Sequence, residues 1–79
     1  MSHQPDCEPL TWEGTHALAL ALHEAHPQVN LDEVSLEQLR QWVLALPCFV
    51  DDPALAHEGL LMAVLREWLE IVLEEAVSR

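Results

Sequence analysis

Apolar residues recur every three or four positions along three stretches of the chain, which is the spacing that places side chains on one face of an α-helix. The first stretch predicts a helix over residues 13–25, with its apolar face formed by Ala17, Leu18, Ala21, Leu22 and Ala25. Thr11 is expected to cap the start of this helix. Pro27 is expected to end it, because the residue before a proline is pushed out of the helical region.

The second stretch predicts a helix over residues 36–46 that Pro47 ends. Ser35 and Gln38 stand three positions apart at its start, which is the spacing of a capping box. Asn30 and Glu33 have the same capping-box spacing in the connector between the first two helices. We therefore expect a single helical turn in that connector.

The third stretch is the longest and predicts a helix over residues 54–76. Asp52 followed by Pro53 is a cap with proline at the first helical position, which is a strong start signal. Its main apolar stripe is Leu61, Val64, Leu65, Trp68 and Val72, and it is widened by Met62, Leu69, Ile71 and Leu73. So wide a stripe predicts either that both other helices pack on it or that its last turns contact a partner.

Four aromatic side chains are predicted to form the structural core, because large rings bury the most apolar area. They are Trp12, Trp42, Phe49 and Trp68. The fold class predicted by these patterns is all-α, a small three-helix domain over residues 11–79. Residues 1–10 contain two prolines and no periodicity, so we expect a mobile N-terminal tail.

The composition is acidic, with 14 Asp and Glu against three Lys and Arg in 79 residues and a formal net charge of −11. Nucleic-acid binding needs a basic face, and anionic membrane surfaces attract basic ones, so both partners are excluded. The 51% share of hydrophobic residues is too high for a disordered acidic tail. A basic protein patch or a metal cation is the natural partner of this surface.

Neither a transmembrane stretch nor a secretory signal is recognisable, which predicts a cytoplasmic protein. Cys7 and Cys48 are too few for a disulfide framework or a four-cysteine zinc site. In a reducing compartment, both are expected to be free thiols.

Few residues are arranged for catalysis. The chain has no glycine-rich phosphate loop, no HExxH, no CxxC and no lysine, which predicts that it is not an enzyme. Asp51 and Asp52, with Glu58 after them, suit a hard cation or an arginine fork. They equally suit a helix cap and solvated side chains. A second candidate metal site is formed by His16, His23 and His26, for which the alternative is an exposed polar helix face.

The spacing of the aromatic, proline and acidic residues along the chain resembles that of the small acidic IscX (YfhJ) family of iron–sulfur cluster assembly proteins. The residues that carry the resemblance are Trp12, Pro27, Trp42, the Phe49–Pro53 loop, Glu58 and Trp68. No gap is needed from Trp12 to Glu70. Val50 stands where the family has an acidic residue, and the C-terminal extension IVLEEAVSR has no family counterpart.

The resemblance implies a modified winged-helix fold and an adaptor that docks on a basic patch of the cysteine desulfurase, in competition with frataxin. It implies weak binding of ferrous iron, no tightly bound cofactor and a monomer. The partner-binding residues it implies are Asp51, Asp52, Glu58 and, less closely matched, Glu24; the first three are also the implied iron ligands. Two alternatives are a helical structural module of an unrelated complex and a carboxylate/imidazole iron carrier.

Overall fold

The structure, a computed structural model, describes residues 9–78. Three α-helices are joined by two short 3₁₀ turns. They are α1 (Thr15–Ala25), α2 (Leu36–Leu44) and α3 (Glu58–Ser78), with turns at Leu31–Glu33 and Pro53–Leu55. The all-α fold class is confirmed. The β-pairing within residues 9–78 is an isolated parallel bridge between Leu10 and Phe49, so the winged-helix detail is not confirmed.

The cap signals of the connector and of α2 act as predicted. The Asn30 side chain accepts a hydrogen bond from the backbone N–H of Asp32 and begins the first 3₁₀ turn. The Ser35 hydroxyl accepts a hydrogen bond from the N–H of Gln38 at 3.1 Å and begins α2. The end of α2 lies at Leu44, two residues before the predicted end.

Two predicted helix starts are wrong. Gly14 precedes α1 without a side-chain cap, and the Thr11 carbonyl instead accepts the N–H of Gly14 in a turn. The Asp52–Pro53 signal begins only a 3₁₀ turn, after which the chain becomes extended at Ala56. An Asp-Pro pair favours a helical turn but does not determine how many turns follow. His57 provides the local cap of α3 instead, because its ring accepts the N–H of Leu60.

Helices α1 and α3 lie side by side and run in the same direction. His16 near the start of α1 meets Glu67 of α3, and His23 near its end meets Glu75, both at 3.0 Å. The second His–Glu pair lies further along both helices than the first, so the helices are parallel and His16 is level with Glu67. The beginning of α3 therefore extends past the start of α1, where residues 9–14 and the loop after α2 lie.

The core lies between the three helices. Trp12 and Trp68 are buried, with Leu18, Ala19, Leu22, Leu39, Val43, Leu61, Val64 and Ile71 around them. Trp42 and Phe49 are partly buried and pack against this core. The Phe49 ring meets the Trp12 ring edge-on, with centroids 4.9 Å apart. These contacts connect the chain before α1 to the loop after α2.

Cys48 is disulfide-bonded, so the prediction of a free thiol is wrong for this residue. The backbone N–H of Leu10 donates to the carbonyl of Cys48 at 2.9 Å, a contact between distant parts of the sequence that periodicity does not predict. Cys7 and the predicted mobile tail, up to residue 8, lie outside the described residues.

Candidate functional site

The candidate site is the segment formed by residues 49–58, here called the acidic segment, which leads from the end of α2 into α3. Its entry is fixed to the chain before α1. Val50 donates its N–H to the Leu10 carbonyl at 3.0 Å, and Phe49 packs against Trp12. The acidic segment therefore starts from a position determined by the core.

Both carboxylate oxygens of Asp51 accept backbone hydrogen bonds. Oδ2 accepts the N–H of Trp12 at 2.9 Å, and Oδ1 accepts the N–H of Asp52 at 2.8 Å. Asp51 was predicted as a docking and iron-binding residue. The geometry gives it a structural contact across 39 positions of sequence, and that contact holds the acidic segment against the start of the domain.

Replacing Asp51 by alanine is expected to lower the free energy of unfolding by about 1.5–3 kcal/mol, because hydrogen bonds to a charged acceptor are worth that much. Glu13→Ala is a suitable control, since it removes an equal charge from an exposed side chain nearby. Its effect should stay within about 0.5 kcal/mol. Urea unfolding of both variants measures the difference, and equal values would show that Asp51 contributes only charge.

Asp52 and Glu58 direct their carboxylates outward. Asp52 is exposed, and its Oδ1 accepts the N–H of Ala54 at 2.9 Å. Its carbonyl accepts the indole N–H of Trp12, also at 2.9 Å, so the backbone under this carboxylate is fixed. Glu58 is exposed in the first turn of α3, where the helix dipole favours a negative charge. Both side chains are therefore open to solvent.

Glu24, the fourth predicted docking residue, lies elsewhere. It is exposed and adjacent to His23, which meets Glu75 in the last turns of α3. Because α3 has 21 residues, its two ends are about 30 Å apart at 1.5 Å per residue. Asp51, Asp52 and Glu58 all lie in the acidic segment but are not grouped as metal ligands within residues 9–78, and Glu24 lies at the opposite end of the domain.

The α1 histidines are engaged in contacts within the domain. The Trp68 indole N–H donates to Nδ1 of His23 at 3.4 Å, so a neutral His23 ring carries its proton on Nε2 and donates it to Glu75. His26 stacks on Trp42, with ring centroids 4.0 Å apart. Within residues 9–78, no three His, Cys, Asp or Glu side chains are grouped as metal ligands.

Two features of the site were missed by the sequence patterns. One is the role of Trp12, whose two N–H groups both bond to the acidic segment; no local signal could reveal a contact between residues so far apart in sequence. The other is the pair of exposed apolar residues Val50 and Leu55 beside the carboxylates. An apolar residue inside an acidic run was visible in the sequence.

The comparison with protein families decides which group the chain belongs to. The model of a family described as iron–sulphur cluster assembly matches residues 10–72. The chain belongs to this family, the IscX (YfhJ) family. An uncharacterized protein of Pseudomonas aeruginosa is 38% identical over 61 residues, which are 77% of this chain and 92% of that protein. The resemblance predicted from the spacing of tryptophans and the acidic loop is confirmed.

Family membership gives this IscX-family protein a role in iron–sulphur cluster assembly. The matched region includes α1, α2, the acidic segment and most of α3. It ends at residue 72, so the last turns of α3 lie beyond it. None of the helices in the described part of the chain is long and apolar enough to cross a membrane.

Proposed function

We propose that this protein is a non-enzymatic cytoplasmic adaptor of iron–sulphur cluster assembly, which docks as a monomer on a basic patch of the cysteine desulfurase and competes there with frataxin. Family membership supports the pathway. The net charge of −11 supports a basic partner, since opposite charges raise the rate of encounter.

The observation that carries the proposal is the outward presentation of Asp52 and Glu58 on a fixed backbone. Trp12 and Asp51 hold the backbone at Asp52 through the three hydrogen bonds described above, and Glu58 lies in the first turn of α3. A surface that is already ordered loses little conformational freedom on binding, and this favours docking.

The direct experiment is a pull-down with purified cysteine desulfurase. The tagged protein should retain the desulfurase at low salt and release it when excess frataxin is added. Failure to retain the desulfurase would contradict the docking. Retention that excess frataxin does not reduce would contradict a shared site.

Weak binding of ferrous iron, as cargo, is a second part of the proposal. Asp52 and Glu58 supply hard oxygen ligands, and Asp51 keeps lone pairs beyond the two that accept N–H groups. Few ligands and partial hydration predict binding in the millimolar-to-micromolar range with poor selectivity among divalent ions. Adding Fe²⁺ should broaden the amide signals of the acidic segment first. Broadening centred on His23 and His26 would instead favour the carboxylate/imidazole iron carrier.

One observation favours the alternative of a helical module in another complex. Four exposed apolar side chains follow one face of α3, namely Met62, Leu69, Leu73 and Val77. Exposed apolar side chains in one row fit an apolar surface of a partner. A wild-type protein that does not retain the desulfurase but co-purifies with another complex, and loses that complex after Leu69→Glu with Leu73→Glu, would favour this alternative.

A further inference from the structure

The acidic segment carries apolar surface as well as charge. Val50 is 66% exposed and Leu55 is 51% exposed. Both stand within five positions of Asp52, and Glu58 follows three positions after Leu55. Single exposed apolar residues are ordinary, but two large ones in one short segment that also exposes two carboxylates give this segment both apolar and charged surface.

We propose that the acidic segment docks through both kinds of side chain: Val50 and Leu55 enter an apolar recess of the partner, while Asp52 and Glu58 face basic residues around that recess. This inference rests on the proposed function and specifies the surface that the desulfurase must present. In this docking mode, the two carboxylates determine the rate and orientation of encounter with the desulfurase. Val50 and Leu55 determine the lifetime of the complex.

The backbone of both apolar residues is held in place. Val50 donates its N–H to Leu10, and Leu55 donates its N–H to the Asp52 carbonyl at 3.0 Å. The apolar side chains therefore project from an ordered segment, and burying them against a partner requires little reordering.

Charge distinguishes a basic partner from a second copy of this chain. Pairing two acidic segments would bring Asp52 and Glu58 of one copy against those of the other, in molecules that each carry −11. Like charges in an interface oppose association. An apolar recess surrounded by Lys or Arg complements the segment in both respects.

The test is Val50→Asp, because the two modes of docking predict opposite results. If charge alone holds the complex, an added carboxylate should tighten it. If Val50 enters an apolar recess, the charge is buried without a partner, and the affinity for the desulfurase should fall by about tenfold or more. Val50→Ala should also weaken binding, by several-fold, without any change of charge.

Leu20→Asp is the matched control, since Leu20 is 43% exposed on α1, outside both the acidic segment and the exposed face of α3, and the change adds the same charge. Its affinity, measured by calorimetry against purified desulfurase, should equal or slightly exceed that of the wild type. Melting curves of all variants establish that each is folded. Tighter binding by Val50→Asp would overturn this inference and leave the proposed function standing, whereas no binding by the wild type would overturn both.

Discussion

Replacing Trp68 by alanine is expected to remove a large part of the stability of the domain. The Trp68 side chain is fully buried in α3, packs near Trp42 and donates its indole N–H to His23. Removing a large buried ring costs about 3–5 kcal/mol, since the cavity closes only in part. A chain of 79 residues has a total stability of about 4–12 kcal/mol at 0.05–0.15 kcal/mol per residue.

Leu69→Ala is the control for this prediction, because Leu69 is the next residue of α3 and is 44% exposed. It should change the melting temperature by only a few degrees. Circular dichroism melts of both variants provide the measurement. Equal melting temperatures would show that the Trp68 ring does not support the core, and the packing of α1 and α2 on α3 would need another explanation.

The three helices could be predicted from sequence because their patterns are local. Periodic apolar residues defined all three, and Asn30 and Ser35 each cap the turn that follows them. The start of α3 could not be predicted, since a 3₁₀ turn and an α-helix begin with the same Asp-Pro signal. Only the extended backbone at Ala56, which depends on packing, separates the two.

The candidate site was predicted in composition but not in arrangement. Adjacent acidic residues after Phe49 marked the acidic segment, and family spacing gave Glu58. The sequence could not assign Asp51 to a structural contact, because its hydrogen-bond donor is the backbone of Trp12, 39 positions away. The opposite placement of Glu24 likewise depends on the parallel packing of α1 and α3, which no local pattern encodes.

Reversing the two outward charges, by Asp52→Lys with Glu58→Lys, is expected to weaken desulfurase binding by about tenfold or more, or at least 1.4 kcal/mol. Attraction to the basic patch becomes repulsion at two positions of the contact. Asp52→Asn should have a smaller effect, since asparagine keeps the cap and removes one charge. Asp51 is left unchanged, because its loss would disturb the backbone of the acidic segment.

Glu33→Lys with Glu70→Lys is the control for net charge. Both side chains are exposed, both lie outside the acidic segment, and the double change alters the formal charge equally. If the acidic segment is the contact, this variant should lose far less affinity than the reversal at Asp52 and Glu58. Melting curves of both variants are needed, because Asp52→Lys removes the hydrogen bond to Ala54 and Glu58→Lys places a positive charge at the start of α3. We expect the Asp52/Glu58 reversal to melt lower than the wild type and to remain folded at the temperature of the titration.

The most direct test of the account is calorimetric titration of the desulfurase with the wild type and these two double variants at 0.1 M and 1 M salt. Screening shortens the Debye length from about 10 Å to about 3 Å over this range, so wild-type affinity should fall at high salt. We expect the Asp52/Glu58 reversal to weaken binding strongly at low salt and the Glu33/Glu70 reversal to weaken it little. Equal losses from the two double variants would contradict the account, because the desulfurase would then respond to total charge and not to the acidic segment.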